Sequence, residues 1–385
     1  MYICKKKAMK TLFILFTLLL IISTSVYSQN ATSINNGSWL MPTTWDCNCV
    51  PAPGYDVVIN HNITLSIDYG YAAGSITINN SGSLVESGGS RNFALNGGSL
   101  TNYGSFRFSK MAFFDGTLVN TGTIGNVDSL FLAIELTNET GAIINATNFF
   151  VNENFVNNGT VNAINFFNNS NTINNNQFSF TNFYNMVSAT NSGSIILNDF
   201  TNAGLFTNNS NIYNTSNFTN AGKFFNNQNA NFEVLVDFLN ADTVNHQANF
   251  YNEGNMTVHL NMANIDTLSG SSTGMFCIGV GTANSGIMTG NFTFCDNTPP
   301  SSYPYIDINT GTISPNISFC TTSCLASISE NTFNSINVSV FPNPFNSIIN
   351  FKSSKTLNNI IISDISGRVV LAKSINNNIF NIDLS

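Results

Sequence analysis

One seven-residue phrase, apolar–any–Asn–any–Gly–any–apolar, recurs along the middle of this chain at a nearly fixed step. It reads Leu100-Thr101-Asn102-Tyr103-Gly104-Ser105-Phe106, then runs from Leu118 to Ile124, returns at Leu136 with one extra residue before Gly141, and runs again from Phe155 to Val161. After a disturbed stretch it resumes from Phe200 to Phe206 and from Phe218 to Phe224, with a worn copy at Phe238. The steps between the leading apolar residues are 18, 18, 19, 45, 18 and 20. A period of 18–20 residues is one coil of a parallel β-solenoid, whose short strands pair with the coils above and below at ~4.8 Å. The 45-residue step predicts two coils with an insertion. A β-sandwich of hairpins explains apolar alternation but not a constant step.

In such a coil the leading apolar residue and the one six later point inward, because side chains alternate along a strand. Asn102, Asn120, Asn138, Asn157, Asn202, Asn220 and Asn240 then stack in one register, and stacked amides can hydrogen-bond along the axis as a ladder. Gly104, Gly122, Gly159, Gly204 and Gly222 are expected at corners that need a positive φ. The composition agrees. Charged residues make up only 8% of the chain and roughly one residue in six is Asn. Like charges repeated from coil to coil would face each other at ~5 Å. Disorder is excluded by the 33 Phe, since disordered segments lack aromatic residues. Less regular coils at Gly74 and Gly82 extend the predicted solenoid to residues 56–296, or roughly twelve coils and ~55 Å of stack. The fold class expected is all-β.

Residues 1–28 carry Lys5, Lys6, Lys7 and Lys10, an apolar run from Thr11 to Ile22, and Val26-Tyr27-Ser28. That is the pattern of a secretory signal peptide, with an apolar run too short for a secure membrane span. Without those four lysines 8 basic residues face 20 acidic ones, a net charge of −12. Such a surface excludes nucleic-acid binding. Once Cys4 leaves with the leader, six cysteines remain, and an even count in an exported chain favours disulfides. Nearness in sequence predicts Cys277 with Cys295 and Cys320 with Cys324, while Cys47 and Cys49 are too close for an easy mutual bridge. Zinc would need ligands at set spacing, and His61, His246 and His259 stand alone. No metal or other cofactor is expected.

Two segments resemble known families. Gly37-Ser38-Trp39, Thr44-Trp45 and the run from Pro53 to Ile59 are similar to the opening of secreted Bacteroidota β-solenoid proteins. That resemblance implies an N-terminal cap over residues 29–55. The run from Ile336 to Phe345, with Pro342-Asn343-Pro344, followed by Ile348 to Phe351 and by Ile360 to Leu371 with Gly367-Arg368, resembles the type A C-terminal sorting domain of type IX secretion substrates. It implies a small Ig-like β-sandwich over 336–385, recognition by the outer-membrane translocon, and in many members attachment to surface lipopolysaccharide. The family continues to a Gly-x-Tyr strand and a basic finish, whereas this chain stops at Ile382-Asp383-Leu384-Ser385. An incomplete sandwich is therefore expected, with Ile360 to Ser363 left short of cover. Residues 297–335 read as a linker with short Cys-bearing strands.

The sequence offers no arrangement suited to lyase or hydrolase chemistry. Lyase action needs a base beside a carboxylate cluster, and the body offers Arg91, Arg107, Lys110 and Lys223, none so placed. Hydrolysis needs two carboxylates across a cleft. The position before each leading apolar residue reads Ser99, Thr117, Glu135, Asn154, Asp199, Asn217 and Asp237, so Asp199 and Asp237 are expected on one face two coils apart, at ~10 Å. Such a column could hold a Ca²⁺ ion, but a solvated polar face explains it better. The function expected is that of an exported, non-catalytic adhesive or matrix-like protein with a glycan or cell-surface ligand. A carbohydrate-active β-helix enzyme is the alternative.

Overall fold

The computed structural model describes residues 29–242, 244–245, 247–320, 323–324, 338–341, 348–363 and 369–383. The predicted leader and the motif residues Pro342, Asn343, Pro344, Gly367 and Arg368 lie outside the described residues. The chain divides into two compact units, Met1–Cys324 and Leu325–Ser385.

The first unit is a parallel β-solenoid, a single 36-stranded sheet wound on itself. Each turn presents three faces. In a central turn, Phe155–Asn157 lies on the first face. The strand Thr160–Asn168 then serves two faces, because it pairs through residues 160–163 and 165–168 and skips Ile164. On the first face Asn120, Asn138, Asn157 and Asn174 are successive partners. On the second Ile144, Val161, Phe178 and Ile195 are. On the third Phe149, Phe166, Phe183, Phe200 and Phe218 are.

Alternate residues of every face are buried, and Phe fills the interior in columns. Phe183 stacks on Phe200 at 4.9 Å, and Phe206 on Phe224 at 4.9 Å, Phe224 in turn on Phe250 at 4.8 Å. Ring repeats at the strand spacing follow directly from in-register pairing.

Asn forms two inner ladders, one at each of two corners. Asn102, Asn120, Asn138, Asn157, Asn174, Asn191, Asn208, Asn226 and Asn252 make the first, each Nδ2 donating to the next Oδ1 at 2.7–2.9 Å. Asn168, Asn185, Asn202, Asn220, Asn240, Asn264, Asn284 and Asn309 make the second, at 2.7–2.8 Å. The single register expected from sequence is therefore two columns: Asn102, Asn120, Asn138 and Asn157 belong to one, Asn202, Asn220 and Asn240 to the other. The 45-residue step holds no insertion. It is the passage from the corner at Asn157 to the corner at Asn168, followed by two turns of 17 residues. The real insertion is at 241–248, where the ladder steps lengthen to 24 and 26 residues.

Asn suits these corners because its amide has two donors and an acceptor. One Nδ2 proton goes to the next rung, the other to the carbonyl that opens the following face, as in Asn157 to Gln177 O at 3.1 Å and Asn185 to Leu205 O at 2.9 Å. Asp in the same column would place carboxylates one strand spacing apart, which raises their pKa or splits the stack.

Gly104, Gly122, Gly159, Gly204 and Gly222 are not in the left-handed region, contrary to expectation; that region holds Gly141, from the lengthened copy of the phrase, with Gly74 and Gly98 among others. The first five are needed for close approach. A Cβ at Gly222 would sit 2.1 Å from Gly204 O, and one at Gly204 would sit 2.2 Å from Val187 O. Val187 and Ser210 occupy the same step in other turns, so the requirement is local to the tightest corners. Gly222→Ala should cost about 1–3 kcal/mol by forcing these backbones apart. Thermal unfolding of the variant checks this, and an unchanged midpoint would show that the corner opens freely.

The solenoid is longer than predicted at both ends. Asn30–Thr32 pairs with residues 56–58, and Gly37–Ser38 with 63–64, so the expected cap is the first turn itself. Trp39 and Trp45 are fully buried there and meet edge-to-face at 5.1 Å. Trp45 Nε1 donates to Trp39 O and Trp39 Nε1 to Pro51 O, so neither indole leaves a buried donor unpaired. At the other end Ile308–Asn309, Thr312–Ile313 and Ser318–Phe319 form the last turn, inside the stretch read as a linker.

The disulfides differ from those expected. Cys277 pairs with Cys324, Cys295 with Cys320, and Cys47 with Cys49. Cys277 and Cys295 are register partners on adjacent turns, pointing outward between the inward Phe276 and Ile278 and beside the inward Phe294. They are buried, with Cys324 and Cys320 bonded to them from outside. Each bonds to its cover and not to its neighbour in the stack. Cys47 and Cys49 close a tight loop with their Cα atoms 5.1 Å apart, well within bridging range.

In the second unit Val338–Phe341, Ile348–Ser363 and Val369–Asp383 form one three-stranded antiparallel sheet in that order. Ile349, Phe351 and Ile382 are buried on it. Among the described residues it is one sheet and not a sandwich. Ile360 to Ser363 is covered at one edge, since it pairs with Lys373 back to Val369.

Candidate functional site

Asp199, Asn217 and Asp237 do share one column on the third face, through the pairing of Phe200 with Phe218 and of Phe218 with Phe238. Glu135 lies elsewhere, on the first face, because its neighbour Leu136 pairs with Phe155. The carboxylates are engaged along the axis. Asp199 accepts from Asn217 N and Nδ2, Asp237 from Asn261 N and Nδ2, and Glu135 from Asn154 Nδ2. Each acid is thus tied to the amide of the next turn. Among the described residues no group of three His, Cys, Asp or Glu side chains is placed to hold a metal ion.

One acid is more deeply engaged. Glu86 accepts from Arg91 N at 2.7 Å, from Ser109 N at 2.9 Å and from Ser109 Oγ at 2.7 Å. Burial pushes its pKa up, but the Ser109 and Arg91 hydrogen bonds and the nearby Arg107 charge together outweigh burial and hold the carboxyl below its usual value. A folded-state pKa below the unfolded one adds stability above the unfolded value of ~4.3, and that stability fades as pH falls through the folded pKa. Acid unfolding between pH 5 and 3 (about the range where free carboxyls titrate) should therefore be shallower in Glu86→Gln. Identical acid limbs for both proteins would remove Glu86 from the linkage.

The outward surface of the third face carries a feature missed in the sequence. Phe131, Phe150, Phe167 and Tyr184 are successive register partners. Phe150 stacks on Phe167 at 4.7 Å and 6°, and Phe167 on Tyr184 at 5.0 Å and 7°. The signal was present as the doublets Phe149-Phe150, Phe166-Phe167 and Phe183-Tyr184, spaced by 17 residues. In each doublet one ring enters the core and the other faces out. Beside this ridge runs a half-buried amide ladder, Asn182 donating to Asn165 and Asn165 to Asn148.

A family model described as the secretion system C-terminal sorting domain matches residues 339–385. The tail is a sorting domain. The sorting domain delivers the chain to the type IX secretion machinery and places the protein outside the cell, secreted or held at the surface. The three-stranded sheet described above falls within or beside the matched span, and so do all five motif residues singled out in the sequence. No curated protein and no solved structure matches the chain.

Proposed function

We propose that the solenoid is a non-catalytic adhesive or matrix-like body, exported by its sorting domain, that binds glycan or another cell-surface ligand through its outer faces. The observation that carries this reading is the outward aromatic ridge of Phe131, Phe150, Phe167 and Tyr184 with its flanking amide ladder. Aromatic side chains left in contact with solvent in an ordered row favour adhesion, because they offer large apolar area at low entropy cost. The engagement of Asp199, Asp237 and Glu135 by axial Asn amides supports the non-catalytic half, since each acid already has its hydrogen-bond partner. Attachment to surface lipopolysaccharide, as in many substrates of this route, is part of the proposal. A glycan-binding screen with the full exported chain, run beside a polysaccharide-turnover assay, tests it. Turnover lost in Asp199→Asn or Asp237→Asn would replace the adhesive reading with the enzymatic one, and an absence of binding to any glycan or cell surface would remove the adhesive reading.

A further inference from the structure

The aromatic ridge stops abruptly at its N-terminal end. Below Phe131 the outward position is held by Ala112, then Ala94, then Gly70. Three small residues after four rings create a step, and the step is a hollow of about 440 Å³. Its floor is Ala94 and Ala112, its walls Phe131 and Phe114, and its opposite rim Asn92, Lys110 and Ser129. Phe114 is 53% exposed and lies 5.7 Å from Phe131 at a 46° tilt, so the two rings splay open where the higher rings stack closed. The volume is in the range of small-ligand sites, ~300–1,000 Å³.

The rim has a marked charge. Lys110 is the cation among the lining residues, and among the described residues it forms no ion pair. Asp68, on the same column, is already bound to the Asn92 backbone and side-chain amides. On a body where acids outnumber bases, a free lysine beside two splayed rings is a site for an anionic group carried on a ring with an apolar face.

We infer that this hollow binds a glycan through an acidic sugar, a uronic acid unit, with the sugar's C–H face against Phe114 and Phe131 and its carboxylate on Lys110. This rests on the adhesive reading and gives it a ligand class. A sugar ring presents both halves of the complement at once: C–H groups for the rings, and hydroxyls for the Asn92 and Ser129 rim. A neutral sugar would leave Lys110 unused. A second copy of this chain would have to place a carboxylate and a small apolar knob together in a hollow of this size.

The test is calorimetric titration of the full exported chain with short oligomers of galacturonic and glucuronic acid, and with neutral galactose and glucose oligomers of equal length. Uronate oligomers should bind more tightly than neutral ones, with the gap shrinking at high salt. Lys110→Gln should weaken uronate binding about tenfold, the size of one charge-assisted hydrogen bond, and leave neutral oligomers unaffected. Phe114→Ala should weaken both kinds. Both side chains are exposed, so the variants should fold, and Phe225→Ala, an outward aromatic of the first face, is the control. Equal affinity for uronate and neutral oligomers, or native affinity in both variants, would overturn the assignment. A concentration-dependent dimer abolished by Phe114→Ala would overturn it in favour of a second copy. If the chain binds glycans or cells while these variants behave as native, the hollow falls and the adhesive reading stands; if nothing binds, both fall.

Discussion

Asn157→Leu is expected to lower the stability of the solenoid by about 3–5 kcal/mol, whereas Asn102→Ile should cost about 1 kcal/mol or less. Both residues are fully buried rungs of the same ladder, and they differ in position. Asn157 accepts from Asn138 Nδ2 at 2.9 Å and from Gly159 N at 3.2 Å, and donates to Asn174 Oδ1 at 2.8 Å and to the carbonyls of Gly159 and Gln177 at 3.1 Å. Removing its amide leaves Asn174 Oδ1, the Gly159 N–H and the Gln177 carbonyl each short of that partner inside the stack. Each buried polar group left unpaired costs ~1–3 kcal/mol. Asn102 is the first rung. Its Oδ1 is buried without a hydrogen-bond partner, and Ile78 occupies the same place on the turn before. Replacing it with Ile deletes that orphan, creates another at Asn120 Oδ1 and takes one donor from the Thr123 carbonyl, so the net loss is that single contact, against three at Asn157. Because turns of a solenoid depend mainly on their neighbours, hydrogen exchange at amides near residues 155–180 should register the Asn157 change more sharply than a global melt. Equal losses at both sites would mean that corner packing, and not the ladder, holds the turns together.

The second large effect lies at the C-terminal end. The double variant Cys277→Ser with Cys324→Ser should lose about 4 kcal/mol, and Cys295→Ser with Cys320→Ser about 3.5 kcal/mol, from loop closure alone. These bonds close 47 and 25 residues. The shorter loop lies inside the longer one, so removing both bonds should cost less than the sum. Their mechanical effect is specific. They hold Cys324 and Cys320 against Cys277 and Cys295 on the outside of the second face, next to the last stacked strand, Ser318–Phe319. Loss of either bond should therefore appear as proteolytic cleavage between 297 and 324 before any effect on central turns. Peptide mapping of the oxidised protein checks the pairing directly. A peptide linking Cys277 to Cys295 would refute it, and with it the account of the covered face.

The repeat carried most of the architecture because in-register stacking constrains composition as strictly as it constrains geometry. A residue that repeats at every turn must tolerate a copy of itself one strand spacing away. Phe and Asn meet that condition by stacking and by amide hydrogen bonding, and charge does not. A parallel solenoid was therefore legible from the recurrence of Leu100, Leu118, Leu136 and Phe155 alone, and the export route from the tail around Pro342 to Pro344 and Gly367-Arg368.

What stayed hidden depended on which of three similar corners a given phrase occupies. Leu136-Thr137-Asn138 and Phe200-Thr201-Asn202 are interchangeable as sequence, yet one lies on the first face and the other on the third. Every strand of a solenoid has the same two-residue alternation, so local pattern cannot number the faces; only the summed lengths of the intervening corners can. The same indeterminacy explains the other misreadings. The glycines looked like corners needing positive φ, but their constraint is the carbonyl of the preceding turn, a neighbour 17–22 residues away that no local rule sees. Cys277 and Cys295 looked like partners because they are close in the chain, and they are adjacent in the stack as well. Their bonds were decided by what lies over them. The hollow beneath Phe131 was invisible for the same reason: it arises where Ala112 follows four rings along the axis, an order that exists only once the turns are stacked.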